Sequence, residues 1–118
     1  LEKKQLIASS EEAAQHMAEF VVEASLPERT LEALFTVMYG GTVSRARYIT
    51  AVAESGEVIS EQTATRDLGE LVTAGLLEAH GDKRGRNYTA STRVREASRR
   101  AGLGYAWRTV DPFEEATP

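Results

Sequence analysis

Residues 60–91, SEQTATRDLGELVTAGLLEAHGDKRGRNYTAS, constrain the fold of this chain more than any other stretch. Ser60 stands where a helix N-cap belongs, with a hydroxyl suited to accept from a first-turn amide. On a helical wheel of about 100° per residue, Ala64, Leu68, Leu71, Val72 and Gly75 fall together on one side. Their stripe has the width of a face turned to a core. Gly75 is placed to end the helix in the left-handed conformation, where a residue without Cβ meets no clash. LLEAH (76–80) then reads as a strand, GDKRGR (81–86) as a glycine-containing loop, and NYTAS (87–91) as a second strand. Two short strands around such a loop predict a β-hairpin, with Tyr88 in the core.

The other side of the same helix carries Gln62, Arg66, Gly69 and Thr73, with Thr63 flanking them near the start. Gly69 in mid-helix costs about 1 kcal/mol relative to alanine. Close approach of a second macromolecule would explain a bare backbone at that point.

Upstream, residues 1–8 read as a short lead-in. Ser9 and Glu12 have capping-box spacing. Ala13, Met17, Phe20, Val21 and Ala24 then recur at helical intervals, which predicts a helix from about Ser9 to Ala24. Pro27 ends it, because the residue before proline avoids the α region. Ser25 and Glu28 give a second capping box. The stripe Leu31, Leu34, Phe35 and Met38 predicts a helix over 27–39, stopped by Gly40 and Gly41. Ser44 caps a third helix over 44–54, with Ala46, Ile49, Val52 and Ala53 turned inward. ESGEVI (54–59) connects it to the capped helix, with Gly56 as the turn residue. This connection is longer than the ~3–4 residues of the usual helix-turn-helix. Residues 92–101 read as a short basic helix. The tail begins with aromatics that would pack back on the domain and ends polar.

The resulting fold class is mainly α with a small β-hairpin, a winged helix-turn-helix with an additional N-terminal helix. The expected division is an N-terminal helical arm (1–26), a winged helix-turn-helix domain (27–91), and a short basic helix with a C-terminal tail (92–118). In this architecture the second helix of the turn motif lies in the DNA major groove, with its N-terminal residues at base edges. Gln62 could then pair with adenine and Arg66 with guanine in bidentate fashion, and the methyl of Thr63 could touch that of thymine. Lys83, Arg84 and Arg86 in the hairpin loop would meet backbone phosphates, which position a protein without reading sequence. The candidate DNA-binding residues are therefore Gln62, Thr63, Arg66, Lys83, Arg84 and Arg86.

Charge decides less than its distribution. The net charge of −4 counts against nucleic acid as a partner. Residues 81–100, however, carry 7 of the chain's 14 Lys and Arg residues against 2 acidic ones. A local patch of that kind can dock phosphate on an acidic domain. Arg93, Arg95, Arg99 and Arg100 either form a solvated face or extend the phosphate track.

The segment resembles the winged helix found at the C-terminal end of many Fic-family proteins. The residues that carry the resemblance are Thr63 to Leu68 (TATRDL), the pair Leu71-Val72, the step Gly75 to Leu77, and Gly85-Arg86 with Tyr88 in the wing. They span about a third of the chain. The resemblance implies a parent protein with an upstream domain that transfers AMP or a related group. The catalytic signature of that domain, HPFxxGNGR, does not occur in this chain. Because the chain begins at Leu1 without Met, it reads as a piece of a longer protein.

Other chemistries find little footing. With no cysteine, disulfides and thiolate metal sites are excluded. His16 and His80 have no metal-ligand spacing and are expected to stand unpaired. No nucleophile elbow or phosphate loop is present. No cofactor, metal or independent enzymatic activity is expected. No apolar run approaches the ~18 residues of a membrane span, so the expected place is the cytoplasm and no membrane partner is expected. Double-stranded DNA is the expected partner, together with a second copy of the chain or an upstream domain. Ala13, Met17, Phe20 and Ala24 form a short seam that either pairs two chains or packs on its own domain. The alternative function is a winged-helix interaction or dimerisation module that regulates a neighbouring catalytic domain without binding DNA.

Overall fold

The computed structural model describes residues 2–82 and 85–100, with side chains from Glu11 onward. Its elements are α1 (Glu2–Glu23), a 3-10 turn (Glu28–Thr30), α2 (Leu31–Gly40), β1 (Thr42–Val43), α3 (Arg45–Glu54), α4 (Glu61–Thr73), β2 (Leu77–His80), β3 (Asn87–Ala90) and α5 (Thr92–Arg100). Five helices surround a small antiparallel sheet of order β1-β3-β2, a winged helix.

The capped helices start where their serines stand. Ser44 Oγ accepts from the Arg47 amide and Ser60 Oγ from the Thr63 amide, each at 3.1 Å. Each bond satisfies one of the four amides that a helix start leaves without a partner. At the far end of α4, Gly75 has φ +79°. The Leu76 amide reaches back to the Leu71 carbonyl at 2.9 Å, and that of Gly75 to Val72 at 3.0 Å. This is the Schellman pairing.

The first helix departs from the sequence expectation at its start and in how it is stopped, while its last residue, Glu23, lies within one position of the expected Ala24. It begins at Glu2, so residues 2–8 are no lead-in and Ser9 lies inside the helix rather than capping it. At its end Leu26 N bonds Val21 O and Ser25 N bonds Val22 O, both at 3.0 Å. Ser25 takes the left-handed position with φ +57°. It therefore closes α1 and does not cap the next helix. The turn before α2 has Pro27 as its N-cap and no side-chain cap bond.

The sheet holds one more strand than the hairpin predicts. Thr42 pairs with Thr89 and Val43 with Tyr88, so β3 is the central strand. Two residues carry too little alternation to announce a strand. On β2, Leu77 pairs with Ala90 and Ala79 with Tyr88. Val43, Leu77, Tyr88 and Ala90 are buried, while Thr42 and Glu78 are exposed, as in an antiparallel sheet with one wet face.

All five helices feed one core. Ala13, Met17 and Val21 of α1 and Val94 and Ala97 of α5 join Leu34, Val37, Met38, Val52, Leu68, Leu71 and Tyr88 in a single cluster. The seam on α1 thus packs on its own domain: Ala13 and Met17 have 0% exposure. On α3 the inward residues are Tyr48 and Val52 with Ile49 beside them, and Ala46 and Ala53 are exposed, contrary to expectation. The larger ring of Tyr48 buries more apolar surface than either alanine, and its hydroxyl has a partner inside. Gly75 is exposed rather than part of the core stripe, because the helix has already turned at that residue.

The histidines are not unpaired. His16 lies 3.9 Å from Glu12 and 3.8 Å from Glu19, and His80 Nε2 is 2.8 Å from Thr89 Oγ1. The aromatic tail and the end of the basic helix at residue 101 lie outside the described residues. Among the described residues no helix is long and apolar enough to cross a membrane.

Candidate nucleic-acid interface

The alternation of small, polar and apolar residues gives α4 two faces, and packing holds them apart. Ala64, Asp67, Leu68 and Leu71 are buried. Gln62, Arg66, Gly69 and Thr73 are exposed along one line of the helix surface. Neither the Gln62 nor the Arg66 side chain makes a hydrogen bond or ion pair among the described residues. Thr63 is half-buried and takes part in the cap, since Ser60 Oγ also lies 3.1 Å from its hydroxyl. Its polar group is therefore less free than those of Gln62 and Arg66.

Gly69 has open space in front of it. A Cβ built on it would meet nothing within 4 Å. Internal packing thus gives no reason for glycine in the middle of this helix.

Beside the face lies a residue the sequence reading left out. Arg45, the first residue of α3, reaches Thr65 Oγ1 at 3.4 Å and Glu61 at 3.9 Å. Both partners are exposed residues of α4. The signal was available in SRAR (44–47), where an arginine directly follows a helix cap.

The wing is built from a tight turn. At Gly81, with φ +83°, a Cβ would stand 2.7 Å from the Gly85 carbonyl oxygen, so only glycine fits. Asp82 Oδ1 accepts from the Gly85 amide at 3.2 Å. Arg86 is exposed and makes no ion pair among the described residues. Lys83 and Arg84 lie outside the described residues. Gln62, Thr63 and Arg66 share one helix, and Arg86 stands at the foot of the hairpin that follows it.

Of the basic run after the wing, Arg93 is tied to α1, Arg95 and Arg100 make contacts within α5, and Arg99 is exposed. Arg93 ion-pairs with Glu23 at 3.1 Å, and its guanidinium lies 4.4 Å above the ring of Phe20, a cation–π contact that fastens α5 to α1. Arg95 bonds Thr92, and Arg100 lies 3.8 Å from Glu96.

Behind the exposed face sits a charged cluster absent from the sequence reading. Asp67 has 0% exposure. Its carboxylate accepts from Arg29 Nε at 2.6 Å, Arg29 Nη2 at 3.2 Å and the Tyr48 hydroxyl at 2.8 Å. The third guanidinium nitrogen donates to Glu57 at 3.1 Å. The bond to Asp67 pushes the Arg29 pKa up, against the opposing effect of burial. Burial first, and then the bond to Asp67, pushes the Tyr48 phenol up. On the wheel Asp67 lies only about 40° from Leu71, so a charge at the edge of the apolar stripe was the available signal.

No protein-family model matches this chain, and no curated protein sequence does. Three solved structures share its fold. Reduced HlyU from Vibrio cholerae N16961 is 18% identical over 80% of this chain and 92% of its own, with a TM-score of 0.52. NadR in complex with 4-hydroxyphenylacetate is 16% identical over 96% and 78%, with a TM-score of 0.54. A MarR family transcriptional regulator from Silicibacter pomeroyi DSS is 16% identical over 92% and 74%, with a TM-score of 0.51. At these identities the likeness establishes the winged-helix fold. The comparisons give no support to the Fic attribution of the wing motif.

Proposed function

We propose that this chain is a DNA-binding regulatory module, with α4 in the major groove of double-stranded DNA and the wing on the backbone. The observation that carries the reading is the exposed line Gln62, Arg66 and Gly69 on a helix whose opposite side is buried. In this reading Gln62 bonds adenine, Arg66 bonds guanine, and Thr63 offers a methyl group. Gly69 makes room for the sugar-phosphate wall. Lys83, Arg84 and Arg86 neutralise phosphates, and Arg45 adds a contact beside the first turn of α4.

The regulatory part of the proposal draws on the likeness to a transcriptional regulator. Residues 27–91 form the docking unit, flanked by α1 and α5. A second copy would double the site, because two half-sites multiply affinity. A Fic-like parent is not needed for any of this.

A second reading draws on the net charge of −4 and on Glu61 and Glu70 beside the reading face. It is a winged-helix interaction module that holds a neighbouring domain and binds no DNA. A mobility-shift titration with random duplex at low salt separates the two. Arg66→Ala is expected to cost roughly 1–3 kcal/mol on a preferred site and to relax the preference there. Arg86→Ala is expected to make the slope of log K against log salt shallower by about 0.9. Absence of wild-type binding at low salt would leave the interaction module as the better account.

A further inference from the structure

We infer that Arg29 is a positioning residue for the reading face of α4, acting through Asp67, an assignment that rests on the DNA-binding reading of that helix. The need for such a residue comes from the connection between α3 and α4. It is longer than the usual ~3–4-residue turn. Along it Val58 is 91% exposed, and only Ile59 packs against the core. The connection alone therefore does little to set the rotation of α4 about its own axis.

Arg29 supplies what the connection lacks. Its guanidinium takes Asp67 of α4 with two nitrogens, at 2.6 and 3.2 Å, and Glu57 of the connection with the third, at 3.1 Å. Tyr48 of α3 closes the cluster from the other side, with its hydroxyl 2.8 Å from Asp67. The turn before α2, the helix α3, the connection and α4 thus converge on one planar cation. Apolar contacts at Leu68 and Leu71 tolerate small rotations of the helix. Charge-assisted bonds with a forked donor weaken steeply off axis and do not. Asp67 follows Arg66 directly in the chain, so any rotation of Asp67 carries Arg66 with it.

Buried ion pairs contribute little to stability relative to apolar groups of the same bulk, and their best-attested value is geometric. The cluster is accordingly assigned to orientation and not to net stabilisation. The two are separable in the variant Arg29→Met/Tyr48→Phe/Asp67→Leu. It is expected to melt no lower than wild type, since such replacements are often neutral or stabilising.

Two readouts follow. Backbone residual dipolar couplings report the orientation of α4 against α2 and the sheet without any DNA. In the triple variant the α4 couplings are expected to depart from the wild-type orientation or to average out. Binding is then compared on a duplex selected from a random library and on a scrambled duplex of the same composition. Affinity for the scrambled duplex is expected to stay within about twofold, because phosphate attraction does not need the helix in register. The ratio between the two duplexes is expected to fall about tenfold, the size of one mismatched base pair. Arg29→Lys serves if the triple variant does not fold. Its ammonium keeps the charge but cannot bridge Asp67 and Glu57 as a fork, so a smaller loss in the same direction is expected. Unchanged couplings, or an unchanged ratio in a well-folded variant, would overturn the assignment. A wild type that does not distinguish the duplexes would overturn the DNA reading, and the couplings would still decide whether Arg29 sets the orientation of α4.

Discussion

Arg29 and Asp67 stand 38 positions apart in the chain and meet through a 2.6 Å bond from Nε to a carboxylate that has no solvent exposure. Removing the cation strands the anion. With Arg29→Ala, Asp67 keeps only the Tyr48 hydroxyl, and an uncompensated buried charge costs about 3–5 kcal/mol. Against the ~5–15 kcal/mol of a whole domain that is a large share. Glu57 is the contrast, because its side chain is 50% exposed. Glu57→Gln is expected to cost less than about 1 kcal/mol, as exposed ion pairs do. Urea unfolding of the two variants checks the ranking, and equal losses would contradict it.

Tyr48 gives the cluster a signature at high pH. Burial and its bond to Asp67 hold the phenol protonated above its ordinary pKa of 10.0. In the unfolded chain the same group ionises near that ordinary value. Above it the folded state binds more protons than the unfolded state, so stability falls as pH rises. The stabilisation is fully present below pH ~10 and drains at up to about 1.4 kcal/mol per pH unit above it. Tyr48→Phe is expected to cost about 1–3 kcal/mol at neutral pH, by removing one of the two hydrogen bonds that Asp67 Oδ2 accepts. Denaturant melts of both proteins from pH 8 to 11 should show that gap narrowing. A gap that stays constant with pH would contradict the assignment of the shift to Tyr48.

The end of α1 carries removable strain. Ser25 occupies a left-handed position at φ +57° that Gly75 fills at the end of α4. An L-residue there costs about 1–2 kcal/mol. Glycine would relieve that cost but would add roughly 0.5–1 kcal/mol of unfolded-state entropy. Ser25→Gly is therefore expected to raise stability by up to about 1.5 kcal/mol. A lower melting temperature would show that the serine hydroxyl holds more than the turn.

What was legible in the chain was what its signals fix locally. Ser60 and Gly75 bracket α4 because a cap and a left-handed stop act over a few residues. The hairpin was legible because its strands are separated by a loop that needs glycine. The features that escaped depend on partners far along the chain. Thr42 and Val43 become a strand only because β3 lies beside them. Asp67 looks like surface until Arg29 and Tyr48 are brought to it. Ser25 has capping chemistry but lies where α1 has to turn. The side of α4 on which Gln62 and Arg66 stand was readable from helical period alone, because the apolar residues occupy the opposite side, whereas the fine rotation assigned to Arg29 leaves no mark in that period.

Gly69 separates a structural glycine from an interface glycine in one substitution. No atom lies within 4 Å of where its Cβ would stand, and its φ is not in the left-handed region. The fold therefore has no steric or conformational use for glycine there. Gly69→Ala should raise stability by about 1 kcal/mol, the difference in helix propensity. The melting temperature of a domain this size should rise by about 4 °C. If α4 lies in a groove, the same methyl group points at the nucleic acid, on the line that runs through Gln62 and Arg66. It would then hold the helix away from the base edges. DNA affinity should fall while stability rises. Those opposite signs are not expected of a surface position with no partner. The measurement pairs a thermal melt with a titration of a selected duplex, wild type against variant. Higher stability with unchanged affinity would show that Gly69 lies outside the contact, and the reading face would then end at Arg66.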